Sequence, residues 1–265
     1  MVNIAYKEYQ RRDIIGSMVK KQNMNMLVGV LVLGLLLGLG IFIYKQFRAS
    51  AAGRTLTTRT PMVMDYIRNP AKHQDQVIQA GTRCGDAPFI FPTTGMAGYL
   101  WGDVFQLGHP HQGVDIFAGT GVNITKVVAA YPGYLTRQSD WKSSLIIRIP
   151  DDPLEPGRQI WVYYTHMADA SGTISYISSE FPPGTKEQFV EAGTTLGYQG
   201  DYSGDPNNPV GVHLHISVVR DDGNGKFKNE LDKDNTYDPS PYFGLRLNAE
   251  ENPDQIPVCK TGDIR

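Results

Sequence analysis

The sequence predicts a mainly β domain of antiparallel strands, preceded by one transmembrane helix. Short runs rich in Val, Ile, Tyr and Trp recur between turn-forming Gly, Pro, Asn and Asp from about residue 85 to residue 248, as in Ser144–Ile149 and Gln159–Tyr164. Helical patterning is scarce in that stretch, with Thr185–Glu191 the one candidate for a short helix. Near the N-terminus, Met26–Tyr44 runs without a single charged side chain. As a helix rising ~1.5 Å per residue it spans roughly 28 Å, close to the ~30 Å hydrocarbon core of a bilayer.

In chain order, residues 1–25 form a polar tail with Lys7, Arg11, Arg12, Lys20 and Lys21, read as cytoplasmic. Residues 26–44 are the span, read as an uncleaved signal anchor. A cleaved signal peptide is the rival reading, because Ala49-Ser50-Ala51 has the small residues of a cleavage site. However, the apolar run is longer than the usual signal core, and Lys45 and Arg48 separate it from that site. Lys45, Arg48, Arg54 and Arg59 follow the span, so charge bias alone orients it only weakly. Gly34 and Gly38 share one face of the span, where a partner helix could pack.

Residues 45–84 are mixed and polar, with one helix expected over Met62–Gln79. They read as a juxtamembrane stalk, or else as a segment folded back over the domain. Residues 85–248 are long enough for a core of their own. Within them, Asp221–Asn235 reads as an exposed hairpin or loop. Residues 249–265 form a C-terminal tail. The two cysteines, Cys84 and Cys259, flank the domain, and outside the cytoplasm they can form a disulfide; two free thiols are the alternative. A net charge of −2 with no basic stripe argues against nucleic acid as a partner.

The chemistry lies in the histidines. Of six in the chain, four fall in three ordered motifs: His111-Gln112-Gly113-Val114-Asp115, Tyr164-Thr165-His166 and His213-Leu214-His215. On an extended chain, residues two or four apart point to one face. His111 with Asp115, and His213 with His215, can therefore each aim two side chains at one point. Neutral imidazole and carboxylate are ligands that zinc takes at catalytic sites, with a fourth position left for water. Either pair alone is a weak signal; the three motifs in order are a strong one. His109 forms a second H-x-H with His111 and reads as a loop neighbour of the site. His73 lies in a polar stretch and reads as solvated.

The motifs and their surroundings resemble the lysostaphin-type (LytM-like) zinc endopeptidases, which cut peptide bonds in bacterial cell walls. Phe91-Pro92, Gly113–Gly121, Val127–Leu135, Ala192–Gly200 and Tyr237–Pro239 add to the resemblance. It implies a LytM-type antiparallel sheet, one Zn²⁺ per chain held by His111, Asp115 and His215, and His166 and His213 acting on the water and the transition state. Which of those two is the base stays open. It also implies a peptidoglycan peptide as substrate, which orients the single-pass cell-membrane protein expected from Met26–Tyr44 with its C-terminal domain outside the cytoplasm. A non-catalytic module regulating other wall hydrolases, and a zinc peptidase of secreted proteins, are the alternatives. The chain departs from the family pattern at Asp205–Val210, at Ser171–Gly184 and at Ile216-Ser217, where Phe-Glu is common. These departures bear on specificity more than on the proposed ligands.

Overall fold

A computed structural model describes residues 57–106 and 108–259. The expected span Met26–Tyr44 and the tail before it lie outside the described residues. Among the described residues, no helix is long and apolar enough to cross a membrane.

The elements in chain order are α1 (Thr60–Arg68), β1 (Met96–Tyr99), β2 (Val104–Gln106), β3 (His109–Pro110), β4 (Val114–Phe117), β5 (Lys126–Val128), β6 (Gly133–Thr136), β7 (Leu145–Ile149), β8 (Ile160–Thr165), β9 (Gln188–Val190), β10 (Thr195–Tyr198), β11 (Leu214–Arg220), β12 (Thr236–Tyr237) and α2 (Ser240–Phe243). Seven strands form one antiparallel sheet in the order β1-β4-β11-β8-β7-β6-β9, and β12 also pairs with β11. Two small ribbons, β5 with β10 and β2 with β3, stand beside it, so the described residues adopt the expected mainly antiparallel class.

The strand period of two sorts the side chains of this sheet. Val114, Ile116, Leu145, Ile147, Val162, Tyr164, Leu214, Ile216 and Val218 enter the main core, with Phe89, Phe91 and Phe243 packed on them. The alternate positions face the other way. There Ile146, Trp161, Tyr163 and Val219 form a second cluster, and Asp115 and His215 belong to the same alternate set. β8 is buried over nearly its whole length and is a continuous apolar run up to Thr165, whereas the equally buried β11 sets His215 and Ser217 between Leu214, Ile216 and Val218.

Three expectations need correction. The helix expected over Met62–Gln79 is only α1, followed by single 3₁₀ turns at Pro70–Lys72 and Gln74–Gln76. Pro70 cannot continue an α-helix, which ends it at Arg68. The helix expected at Thr185–Glu191 is instead the edge strand β9, paired to β6. Glu187 has a left-handed backbone at φ 50°, which breaks a helix in mid-segment. His73 is not merely solvated, since its Nε2 lies 2.9 Å from Asp65 Oδ2 on α1.

Residues 57–84 do not stand apart from the domain as a stalk would. Val63 and Tyr66 are buried against Met96 and Phe117 in a small core of their own, and Ile78 bridges to Gly95. The C-terminal tail closes over the same region. The Arg59 guanidinium donates to the carbonyls of Asn252 and Gln255. Cys84 and Cys259 form the expected disulfide, with their Cα atoms 5.3 Å apart.

Candidate metal centre

Asp115 and His215 are brought together by sheet register. β4 and β11 pair so that Asp115 and His215 are direct cross-strand partners, between the core pairs Leu214↔Ile116 and Ile216↔Val114. His215 Nδ1 lies 2.8 Å from Asp115 Oδ1. A one-residue slip would turn both side chains into the apolar core, so the packing that fixes the register also fixes the site.

His111 arrives differently. The extended segment expected from His111 to Asp115 begins only at Val114, and His111 lies in the turn between β3 and β4. Gly113 permits that turn to pass close to β11. A Cβ there would stand 2.3 Å from the Ile216 carbonyl oxygen and 2.7 Å from His215 Nε2. His111 Nε2 ends 3.0 Å from His215 Nδ1 and 3.2 Å from Asp115 Oδ1. Its Nδ1 lies 2.9 Å from the Leu100 carbonyl, which can only accept. In the neutral ring Nδ1 therefore carries the proton and Nε2 the lone pair.

These three donor atoms fit a metal ion. Zinc bonds of ~2.0–2.1 Å at tetrahedral angles put neighbouring ligand atoms about 3.3 Å apart, and the observed separations run from 2.8 to 3.2 Å. The donor set is the pair of imidazoles and one carboxylate that zinc accepts. All three residues are nearly buried, and burying that many inward-facing acceptors without a cation is unfavourable. Electrostatics agree. Burial raises the Asp115 carboxyl, but the surrounding His111 and His213 outweigh it and hold it well below the usual carboxylate range. Burial pulls His111 down, yet the Asp115 charge and hydrogen bond leave it raised. Burial keeps His215 lowered, against the pull of Asp115.

His166 and His213 stand beside the cluster. His213 precedes β11, stacks on Phe117 at 4.9 Å, and places Nε2 3.5 Å from Asp115 Oδ1. Its Nδ1 lies 2.5 Å from the Gly211 carbonyl. His166 follows β8 with a left-handed backbone at φ 72°, a strained conformation of the kind that concentrates at functional sites. That turn brings its ring 4.5 Å from His213 and 6.0 Å from His215, with Nδ1 2.7 Å from the Tyr202 carbonyl. Burial, and then the neighbouring His213 and His215, push His166 down to about 3, so it is neutral near pH 7. In the neutral form of either ring, with Nδ1 donating to a carbonyl, Nε2 is the atom left to accept. His109 is exposed on β3 and takes no part in the cluster.

The cluster opens to a cleft with two unlike sides. One side is a cavity of about 420 Å³ walled by Val63, Met64 and Ile67 of α1 with Tyr99, Phe105 and Val210. The other, about 480 Å³, is walled by Lys142, Ser143, Ser144, Thr165, Tyr202 and Glu230. His166, His215 and Gln112 border both. The insert at Asp205–Val210 thus reaches the rim through Val210, and the Ser171–Gly184 loop supports Tyr202 by the close approach of Gly172 to its ring. Sequence reasoning missed the α1 wall. Its signal was there in Val63, Tyr66 and Ile67 at helical spacing. It also missed the Leu100, Tyr202 and Gly211 carbonyls.

No family model and no curated protein matches the chain. Solved structures do. Lysostaphin, the antimicrobial peptidase from Staphylococcus simulans, aligns with 20% identity over 57% of this chain and 49% of its own, at a TM-score of 0.35. The catalytic domain of the prophage-encoded protein EnpA from Enterococcus faecalis aligns with 21% identity over 57% of this chain and 95% of its own, at 0.34. Csd3 from Helicobacter pylori aligns with 17% identity over 71% of this chain and 37% of its own, at 0.32. The chain thus spans about half the length of lysostaphin and less of Csd3.

Proposed function

We propose that this chain is a zinc endopeptidase that hydrolyses peptide bonds of peptidoglycan, held at the cell membrane by Met26–Tyr44 with its β domain outside the cytoplasm. One observation carries the reading: the His111, Asp115 and His215 donor atoms converge at zinc spacing beside His166 and His213 in an open cleft. Their order in the chain and the residues between them resemble the lysostaphin-type motifs. The Cys84–Cys259 disulfide supports an oxidising, extracytoplasmic setting.

A zinc ion held by the three ligands supplies an acidified water nucleophile and a Lewis acid for the scissile carbonyl. The rest of the chemistry belongs to side chains. His166 and His213 present Nε2 lone pairs toward the cleft, and either can accept the proton lost by the attacking water. Protonation converts that ring into a donor, ready to stabilise the developing oxyanion or to protonate the leaving amine. The Tyr202 and Gly211 carbonyls hold the rings in the tautomer that makes this possible.

The alternative of a non-catalytic regulatory module predicts the loss of a ligand or of a proton-handling histidine, and all five are in place. Cleavage of a secreted protein instead of wall peptide is favoured by one feature, the apolar α1 wall, which suits a larger side chain. The deciding experiment incubates the zinc-loaded full chain, in detergent, with isolated peptidoglycan and reads new amino termini by mass spectrometry. New termini from the unmutated chain and none from His215→Ala are expected. No new termini from a protein shown to hold zinc would overturn the wall substrate, and a casein digest in parallel separates the protein-directed reading.

A further inference from the structure

We propose that Arg59 is a positioning residue for His111, acting through Asp103 and Leu100, so that the segment upstream of the sheet sets the metal site. The inference rests on the metal-centre reading above. Arg59 is fully buried, and its Nε lies 3.4 Å from Asp103 Oδ2. Asp103 is almost as buried. That carboxylate ties down the turn that cradles His111. Its Oδ2 accepts from the Leu100 N–H at 2.6 Å, and its Oδ1 from the Thr57 hydroxyl at 2.7 Å. The Leu100 carbonyl in turn accepts from His111 Nδ1. The backbone adds two more bonds, from His111 N to the Asp103 carbonyl at 2.7 Å and from Gly102 N to the His111 carbonyl at 2.8 Å.

Leu100 is therefore held at its N–H by the carboxylate that Arg59 neutralises, and through its carbonyl it fixes the tautomer and tilt of a metal ligand. Without Arg59, Asp103 would be a buried charge with no cation in contact. The turn would then have to open to water to solvate that charge. Such an opening frees Leu100. Arg59 is also the residue that grips the Asn252 and Gln255 carbonyls, so the upstream segment, the C-terminal tail and the ligand turn share one guanidinium. Partners that orient a ligating histidine typically change metal affinity by ~10–100-fold when removed.

The test measures zinc affinity of the full chain in detergent by chelator competition, and the visible spectrum of the Co²⁺ form as a report on ligand geometry. Arg59→Leu should weaken zinc ~10–100-fold and shift the Co²⁺ bands, and Arg59→Lys should recover part of the affinity. Tyr66→Leu, which loosens the same helix without touching Asp103, should leave both readouts unchanged. If Arg59→Leu does not fold, Asp103→Asn decides, with the same shift expected in smaller measure. Unchanged affinity and spectrum in the folded Arg59 or Asp103 variants would overturn the proposal, as would an equal loss in Tyr66→Leu. Failure of the unmutated chain to bind either metal would instead overturn the metal-centre reading itself.

Discussion

Asp115 and His215 reach the site from the sheet, whereas His111 and His166 reach it from turns and His213 from the bridge with Gly200 just before β11. The first pair is a cross-strand couple whose geometry follows from register. Each of the other three has its Nδ1 held by a backbone carbonyl, of Leu100, Tyr202 or Gly211. A sheet places side chains with the same packing that stabilises the fold, so two ligands come preorganised at no separate cost. Turns must be held by dedicated hydrogen bonds, and one of them, at His166, by a strained backbone. The sheet supplies a rigid platform, and the turns supply the groups whose protonation has to change.

Removing a sheet-borne ligand gives the largest expected effect. Asp115→Ala or His215→Ala should take bound zinc from one per chain to near none, read by elemental analysis after dialysis, and should abolish cleavage. The strands should remain paired, because their core-facing neighbours Ile116 and Leu214 are untouched. Full zinc content in either variant would remove that residue from the ligand set.

Removing a turn-borne proton handler should separate binding from chemistry. His166→Ala should keep zinc near one per chain and lower kcat by ~10²–10⁴-fold, the usual range for a general acid or base. His213→Ala should act alike. Loss of zinc with loss of activity would place the residue among the ligands and erase the difference between the two regions.

Gly113→Ala probes where the two regions meet. The new Cβ would press on the Ile216 carbonyl and the His215 ring. Overpacking of this kind costs about 1–3 kcal/mol, and both the denaturant midpoint and zinc affinity should fall. A stable variant with normal zinc affinity would show that the His111 turn has slack the geometry does not suggest.

The two regions were also unequally legible in the sequence. Residue identity reveals ligands, so His111, Asp115 and His215 and their histidine neighbours stood out by type and spacing. The groups that orient the turn-borne rings are backbone carbonyls, which every residue has, and no motif can announce Leu100 or Gly211. The strands β7 and β8 were plain because their β-branched and aromatic runs are bounded by turns. β9 was not, since Gln188–Val190 is short and acquires strand geometry only by pairing with β6. The expected extended path from His111 to Asp115 misjudged where β4 begins. A spacing of four is compatible with a strand and equally with a turn that Gly113 allows. The place of α1 at the cleft depends on long-range contacts with Met96 and Phe117 that local pattern does not encode. The Met26–Tyr44 span was the plainest feature of all, and it lies outside the described residues.

The smallest expected effect is a proton count, and it bears on the same contrast. In the metal-free protein burial lowers His111, but the Asp115 charge and hydrogen bond outweigh it, and His111 ends above the ordinary imidazole value. Burial keeps His215 below that value. The turn-borne ligand therefore keeps its proton to higher pH than the sheet-borne ligand does. A metal takes only the deprotonated ring, so binding must expel that proton. Protons compete with zinc, so apparent affinity falls as pH falls through the raised His111 value, and it levels off above it. Calorimetric zinc titrations of the full chain in buffers of different ionisation enthalpy should give up to about one proton released per zinc near pH 7. Release approaching two would mean that His215 is protonated as well and that the sheet does not preorganise its ligand. Release of none would mean that Asp115 does not hold a proton on His111, and the difference between the two regions would then be one of geometry alone.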